Sequence, residues 1–214
     1  FALLKIILLF GGIMNESKVK IVVADPSAIG LFGLAMVTLV ASSQKLGLTS
    51  GVSLVIPWAI FLGAAAQLVA CINDFKHNNH FGATAFGAYA FFWFAMAMSW
   101  MIQNGVFGET LAAAADPKQF GFAFLGYLIF TLFMTIGAME TNKVLFFIFV
   151  LIDFLFLGLA FSNLGIAEHA MHSLAAYSEL LIAIFSFYGC GANVLNNHFG
   201  KTFLPVGKPF GIFK

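Results

Sequence analysis

The chain contains no arginine, and its ten basic residues are all lysines. Bidentate guanidinium recognition of phosphate is therefore outside its repertoire, and a net charge of +1 leaves no electrostatic footprint for nucleic acid. Cysteine is nearly as scarce. Cys71 and Cys190 are the only two, each inside an apolar stretch, where a small buried hydrophobe is a better reading than a disulfide or a metal thiolate. Charge of either sign is short: 9% of 214 residues are charged and 61% are hydrophobic, whereas soluble domains carry about a quarter charged residues. A water-soluble fold would have almost nothing to place on its surface, and a bilayer removes that requirement. Catalytic signatures are missing too. There is no GxSxG, HExxH or P-loop pattern, so neither an enzyme nor a cofactor is expected. The pairs His77/His80 and His169/His172 fall in loops on opposite sides of the expected membrane with no third ligand in reach, and no metal is expected either.

What the chain does have is long apolar runs separated by short polar breaks. A membrane span needs about 20 apolar residues. The runs place spans near 29–43, 52–72, 82–102, 120–139, 144–162 and 174–194, an all-α bundle of six transmembrane helices. Residues 1–14 are too short to span and lack a cleavage site of the A-x-A kind, so they read as a helix lying in the interface or packed on the bundle. The chain thus divides into an N-terminal segment (1–22), a pore-forming helical domain (23–198) and a C-terminal tail (199–214). Lysines set the orientation. Lys5, Lys18, Lys20, Lys76, Lys143, Lys201, Lys208 and Lys214 fall on one side, and only Lys45 and Lys118 on the other. The positive-inside rule then puts both termini in the cytoplasm of a multi-pass cell-membrane protein.

Ionisable residues within spans are costly and usually face an interior or a cavity. Asp25 stands at the mouth of the first span, Asp153 in the fifth and Glu179 in the sixth. No lysine stands within a span to pair with them, so they are expected to be protonated, hydrated or near an interface. Gln67, Asn163, Ser186 and Asn193 are the uncharged candidates for lining a pore. Asp25 followed by Pro26 also fits a helix N-cap with proline at the first helical position. Small residues crowd the second and third spans, around Gly63–Ala66 and Gly82–Ala88, which lets helix backbones approach closely. Most of the 28 phenylalanines read as lipid-facing bulk, with some turned inward as constrictions.

Four segments, taken together, resemble one family. They are Asp25-Pro26-Ser27-Ala28-Ile29-Gly30-Leu31, the run GAAAQLVACINDFKHNNHFGATAFGAYAFFWF from Gly63, TLFMTIGAMETNKVL from Thr131, and NVLNNHFGKTFLPVG from Asn193. Their order and spacing are similar to the acetate uptake transporter family over about residues 24–207. The family signature is Asn-Pro-Ala-Pro-Leu-Gly-Leu. This chain keeps Pro26, Gly30 and Leu31 and departs at Asp25, Ser27, Ala28 and Ile29. The resemblance implies a homohexamer with one pore per protomer, moving acetate and in some members succinate or other short monocarboxylates, as an anion channel or a proton symporter. It also implies a narrow hydrophobic gate made by Leu34, Tyr89 and Ile152, with Leu34 standing where the family has Phe and Ile152 where it has Leu. Tyr89 is then expected to offer its hydroxyl to the cargo carboxylate. One alternative is still transport, a pore for another small solute such as ammonia; the other, from a different class, is a non-conducting membrane sensor or assembly protein.

Overall fold

The computed structural model describes residues 23–213, so the expectation for residues 1–14 lies outside the described part. Six helices in it are long and apolar enough to cross a bilayer: α1 (Ser27–Lys45), α2 (Val55–Lys76), α3 (His80–Gln103), α5 (Lys118–Ala138), α6 (Lys143–Asn163) and α7 (Glu168–Phe199). A short helix, α4 (Glu109–Ala113), interrupts the connector between α3 and α5. The described residues contain no strand, as the hydrocarbon core demands of an open chain that must satisfy its own backbone.

The largest departure from the expected boundaries is α7. It holds 32 residues, and at 1.5 Å per residue that is ~48 Å, well beyond a hydrocarbon core of about 30 Å. Its ends therefore stand clear of the apolar zone. Gly200, at φ 62°, ends it in the left-handed conformation that glycine adopts without strain. The tail that follows does not trail away. Asn196 accepts at Oδ1 from the Phe203 and Leu204 N–H groups, Tyr188 donates to the Pro205 carbonyl, and Glu140 Oε1 accepts from the Ile212 and Phe213 N–H groups. Asn193 of α7 also donates to Asp25 ahead of α1. Both ends of the described chain therefore lie at the same end of the bundle.

Small residues set how closely the spans approach. A Cβ on Gly33 of α1 would run into the Leu62 carbonyl of α2, and one on Gly63 of α2 would meet the Trp93 ring of α3 at 2.7 Å. The α2 segment at this contact is π-helical, over Ala59–Ala66. Such wide turns are often found at functional sites. Bulk phenylalanines mostly point outward, as expected: Phe61, Phe122 and Phe133 are among the most exposed. Phe92, Phe124, Phe149 and Phe156 instead form the core.

One charged contact corrects the sequence reading. Lys45 Nζ lies 2.9 Å from Glu179 Oε2, with the glutamate side chain 2% exposed. Glu179 is thus neither unpaired nor at an open interface. Lys45 is the last residue of α1, and its long stem carries the ammonium to α7 across 134 positions of sequence, a separation no span-by-span reading bridges. Removing one partner of a buried pair strands the other charge and costs about 3–5 kcal/mol, while replacing both with apolar groups is often close to neutral. Glu179→Ala is therefore expected to lower the melting temperature in detergent markedly, and Lys45→Met with Glu179→Leu to recover most of the loss. Equal melting of the single and double variants would show that the pair does not hold these helices.

Candidate functional site

A cavity of about 800 Å³ opens at the end of the bundle where the chain ends meet. Its rim comes from five places. Asp25 and Ser27 precede or begin α1, and Asn79 precedes α3. Glu140 to Asn142 join α5 to α6, Asn193 to Asn197 end α7, and Val206 and Phe213 belong to the tail. Its walls descend past Leu31, Phe81, Phe149 and Gln67 to Leu34, Tyr89 and Ile152. These last three are 7%, 5% and 3% exposed, and each sits about two or more turns into its helix. Three separate helices therefore close the cavity with two aliphatic side chains and one phenol, the trio that the resemblance assigned to a gate.

Behind that ring stands an aromatic pile. Tyr89 lies 6.4 Å from Phe156 at 17° between ring planes and 6.1 Å from Phe149. Offset aromatic pairs of this kind rigidify a core. The Tyr89 hydroxyl is 2.9 Å from Thr131 Oγ1, and Thr131 Oγ1 donates its only hydrogen to the Tyr127 carbonyl at 2.7 Å. Tyr89 must then be the donor to Thr131. Its hydrogen is committed within the protein rather than turned to a carboxylate in the cavity, as the sequence reading had it.

At the rim, Asp25 Oδ1 accepts from the Ser27 N–H and Oδ2 accepts from Asn193 Nδ2, each at 2.9 Å. The carboxylate thus closes a two-residue turn onto the first N–H of α1 and also straps α1 to α7, while Pro26 and not Asp25 is the N-cap residue, with no side-chain cap. Pro26 precedes the helix, which starts one residue later than expected, at Ser27. Partial shielding by itself would raise the Asp25 pKa. The hydrogen bonds from Ser27 and Asn193 and the nearby His77 together outweigh that and hold it below the usual aspartate range. With a depressed folded-state pKa, this contact is fully present above the ordinary aspartate pKa and is lost as pH falls through the lower folded value.

The other candidates divide. Of Asp25 to Leu31, only Asp25, Ser27 and Leu31 line the cavity. Pro26, Ala28, Ile29 and Gly30 do not, and Gly30 packs beneath the Phe86 ring. Gln67 and Asn193 line it; Asp153, Asn163, Glu179 and Ser186 do not. Asp153 Oδ2 accepts from Thr135 Oγ1 at 2.7 Å, tying α6 to α5. Asn163 bonds back to the Leu159 carbonyl of its own helix, and Ser186 is fully buried. Sequence reasoning missed Glu140, Asn79, Asn142, Asn196 and Asn197 at the rim. The available signal was asparagine clustered at one set of span ends. Among the described residues, no three His, Cys, Asp or Glu side chains gather closely enough to hold a metal.

Comparison with known proteins gives a consistent picture. The GPR1/FUN34/yaaH family model matches residues 10–208. The succinate-acetate/proton symporter SatP of Escherichia coli (strain K12) is 32% identical over 187 residues, covering 86% of this chain and 96% of that protein. Acetate permease A of Emericella nidulans is 27% identical, covering 92% of this chain and 72% of that protein. Ammonia transport outward protein 2 of Saccharomyces cerevisiae is 27% identical, covering 86% and 67%. The solved structure of the bacterial acetate channel SatP superimposes with a TM-score of 0.80 at 30% identity, over 87% of this chain and all of that one.

Because Asp25 accepts from Ser27 and Asn193, Asp25→Ala is expected to cost about 0.5–1.5 kcal/mol at neutral pH. Asp25→Asn keeps an acceptor for Ser27 and should lose less. Melting curves between about pH 7 and pH 3 should show the parent losing stability relative to Asp25→Asn only in acid. Parallel curves for the two would mean that the carboxylate charge does not stabilise the fold.

Proposed function

This chain belongs to the GPR1/FUN34/yaaH family, and from that premise we propose that it moves short-chain carboxylates across the cell membrane, with acetate as the first cargo. The observation that carries the reading is the cavity that narrows from a polar rim onto Leu34, Tyr89 and Ile152. A ring of aliphatic groups and one phenol dewets and stops water and inorganic ions. A small carboxyl compound differs from those in having an apolar end. Acetate presents its methyl to Leu34 and Ile152, and the ring yields to it at little cost. No bond is made or broken in this chemistry, so the chain acts by passage and not as an enzyme. Larger cargo such as succinate or lactate meets the same ring with a second polar group to desolvate. The relatives named for succinate-acetate symport and acetate permeation support the reading.

The test is uptake of labelled acetate by proteoliposomes, with protein-free vesicles subtracted. The parent is expected to add a saturable component, and Ile152→Trp, which fills the ring, to reduce it about tenfold or more. Parent uptake equal to that of empty vesicles sinks the reading. An ammonia pore, the activity that the yeast relative's name favours, and a non-conducting sensor both give that second result.

The pore domain, residues 23–198, is proposed to sit with both termini in the cytoplasm, on the lysine bias, and the tail 199–214 to lie across its inner mouth. Six protomers form the ring, each with its own pore. Outward-facing Phe122, Leu132 and Phe133 of α5 supply apolar surface that packs against a neighbour or lipid. A cysteine at Ala114 is expected to react with an impermeant maleimide from outside the cell, and the purified protein to have the mass of a hexamer after correction for bound detergent. Labelling only after lysis overturns the orientation, and a fully active monomer overturns the ring.

A further inference from the structure

Leu34, Tyr89 and Ile152 close the cavity from the rim side. Cargo that passes them must leave between the same helices at the opposite end of the bundle. The helical repeat says which side chains stand there. Lys45 lies about three turns beyond Leu34 along α1, ~16 Å further from the rim and within ~20° of the same helix face. Glu179 lies about four turns beyond the cavity residue Asn193 along α7, within ~40° of its face. Both side chains therefore continue the helix faces that line the cavity, and they meet at 2.9 Å in the only salt bridge among the described residues.

The two sides of this pair are unlike. The Glu179 side chain is 2% exposed and that of Lys45 14%, so the pair is covered over the carboxylate and reachable at the ammonium. An ammonium carries three N–H donors. One goes to Glu179 Oε2, and no other acceptor among the described residues takes the remaining two. The rim offers nothing comparable, since Asp25 and Glu140 line the cavity and no lysine or histidine does among the described residues. Glu179 also sets the strength of the site. A bare ammonium in a low-dielectric setting holds a carboxylate tightly and releases it slowly. The glutamate cancels most of that charge and leaves the hydrogen bonds of the two free donors. Conduction needs such a site, favourable enough to enter and weak enough to leave.

We propose that Lys45 is a carboxylate-binding residue at the end of the path opposite the rim, where its two free N–H donors hold the carboxylate of a small cargo molecule. Glu179 acts through it as a positioning residue: it fixes the ammonium against α7 and weakens its hold so that cargo leaves. The inference rests on the carboxylate-transport reading and adds a contact for the cargo beyond the gate.

The experiment measures uptake of labelled acetate by proteoliposomes over a range of acetate concentrations, corrected for empty vesicles, and separates the half-saturating concentration from the maximal rate. Glu179→Gln keeps an acceptor for Lys45 and leaves the ammonium its full charge. It is expected to lower the half-saturating concentration about three- to tenfold and to lower the maximal rate, because release slows. Lys45→Met with Glu179→Leu removes the site while keeping most of the melting temperature, and is expected to raise the half-saturating concentration by a similar factor. A merely structural pair shifts melting and leaves both half-saturating concentrations at the parent value; that result, or two shifts of the same sign, overturns the proposal. The parent supplies a measurement that needs no variant. Acetate, against chloride at equal ionic strength, should slow modification of Lys45 by an amine-reactive acylating reagent, read by mass spectrometry with exposed Lys118 as reference. Equal rates at Lys45 with and without acetate, in a parent that takes up acetate, overturn this inference alone. No acetate uptake by the parent removes the transport reading and this inference with it.

Discussion

In the hydrocarbon core there is no water to satisfy a stray donor or acceptor, and every feature of this bundle answers to that constraint. The backbone meets it by being helical. Polar side chains within the spans meet it largely by folding back on their own helix. Thr38 donates to the Leu34 carbonyl at 2.7 Å, Ser43 to Val40 at 2.7 Å, Gln67 to Gly63 at 2.7 Å and Asn163 to Leu159 at 2.8 Å. A side chain settled in this way is free to sit at any depth and reveals little about function. The informative ones are those that reach another helix: Lys45 to Glu179, Thr135 to Asp153, Tyr89 to Thr131 and Tyr127 to the Ala88 carbonyl. Among the described residues, four buried polar side-chain atoms remain without partners, on Gln67, Asp74, Asp153 and Ser186. Of these residues only Gln67 lines the cavity.

The same constraint shapes the path. Without water between spans, no hydrophobic drive pulls helices together, and close packing must do so. Gly33, Gly63 and their neighbours allow that packing around α2. Larger side chains, Leu34, Tyr89 and Ile152, meet from three helices at the cavity wall. Polar residues are admitted in number only at the rim, where water reaches them, which is why the asparagines gather at one set of helix ends. The tail completes the rim. Its backbone N–H groups hold Glu140 at the mouth, so the charge seen by an approaching solute is fixed partly by a segment outside the spans.

Much of this was legible in the sequence. Six apolar runs of span length, 9% charge and the absence of arginine specify a polytopic helical membrane protein, because hydropathy and length are local properties that the bilayer reads directly. The segments around Asp25, Gly63, Thr131 and Asn193 carried the family resemblance, and with it Leu34, Tyr89 and Ile152, which the structure gathers at the bottom of one cavity. Pro26 beside Asp25 signals the start of the first span, but the helix begins at Ser27 with Pro26 as its N-cap residue, and Asp25 reaches only the Ser27 N–H. Its second bond, to Asn193, joins opposite ends of the chain and had no local signal. Nor did the pairing of Lys45 with Glu179, since a lysine at the end of one span and a glutamate within another meet only through the register of α1 against α7. The direction in which Asp153 and Ser186 point, away from the cavity, was equally hidden, as a uniformly apolar helix has no amphipathic stripe to show which face turns inward. Even the sense of the Tyr89 hydroxyl depended on a threonine 42 residues away. The sequence by itself determined the solvent, the number of spans and the residue types available for a gate, because those follow from composition and near-neighbour pattern. Which polar atoms are paired and which are left facing the path was decided only by tertiary structure, because that follows from the rotation and register of packed helices.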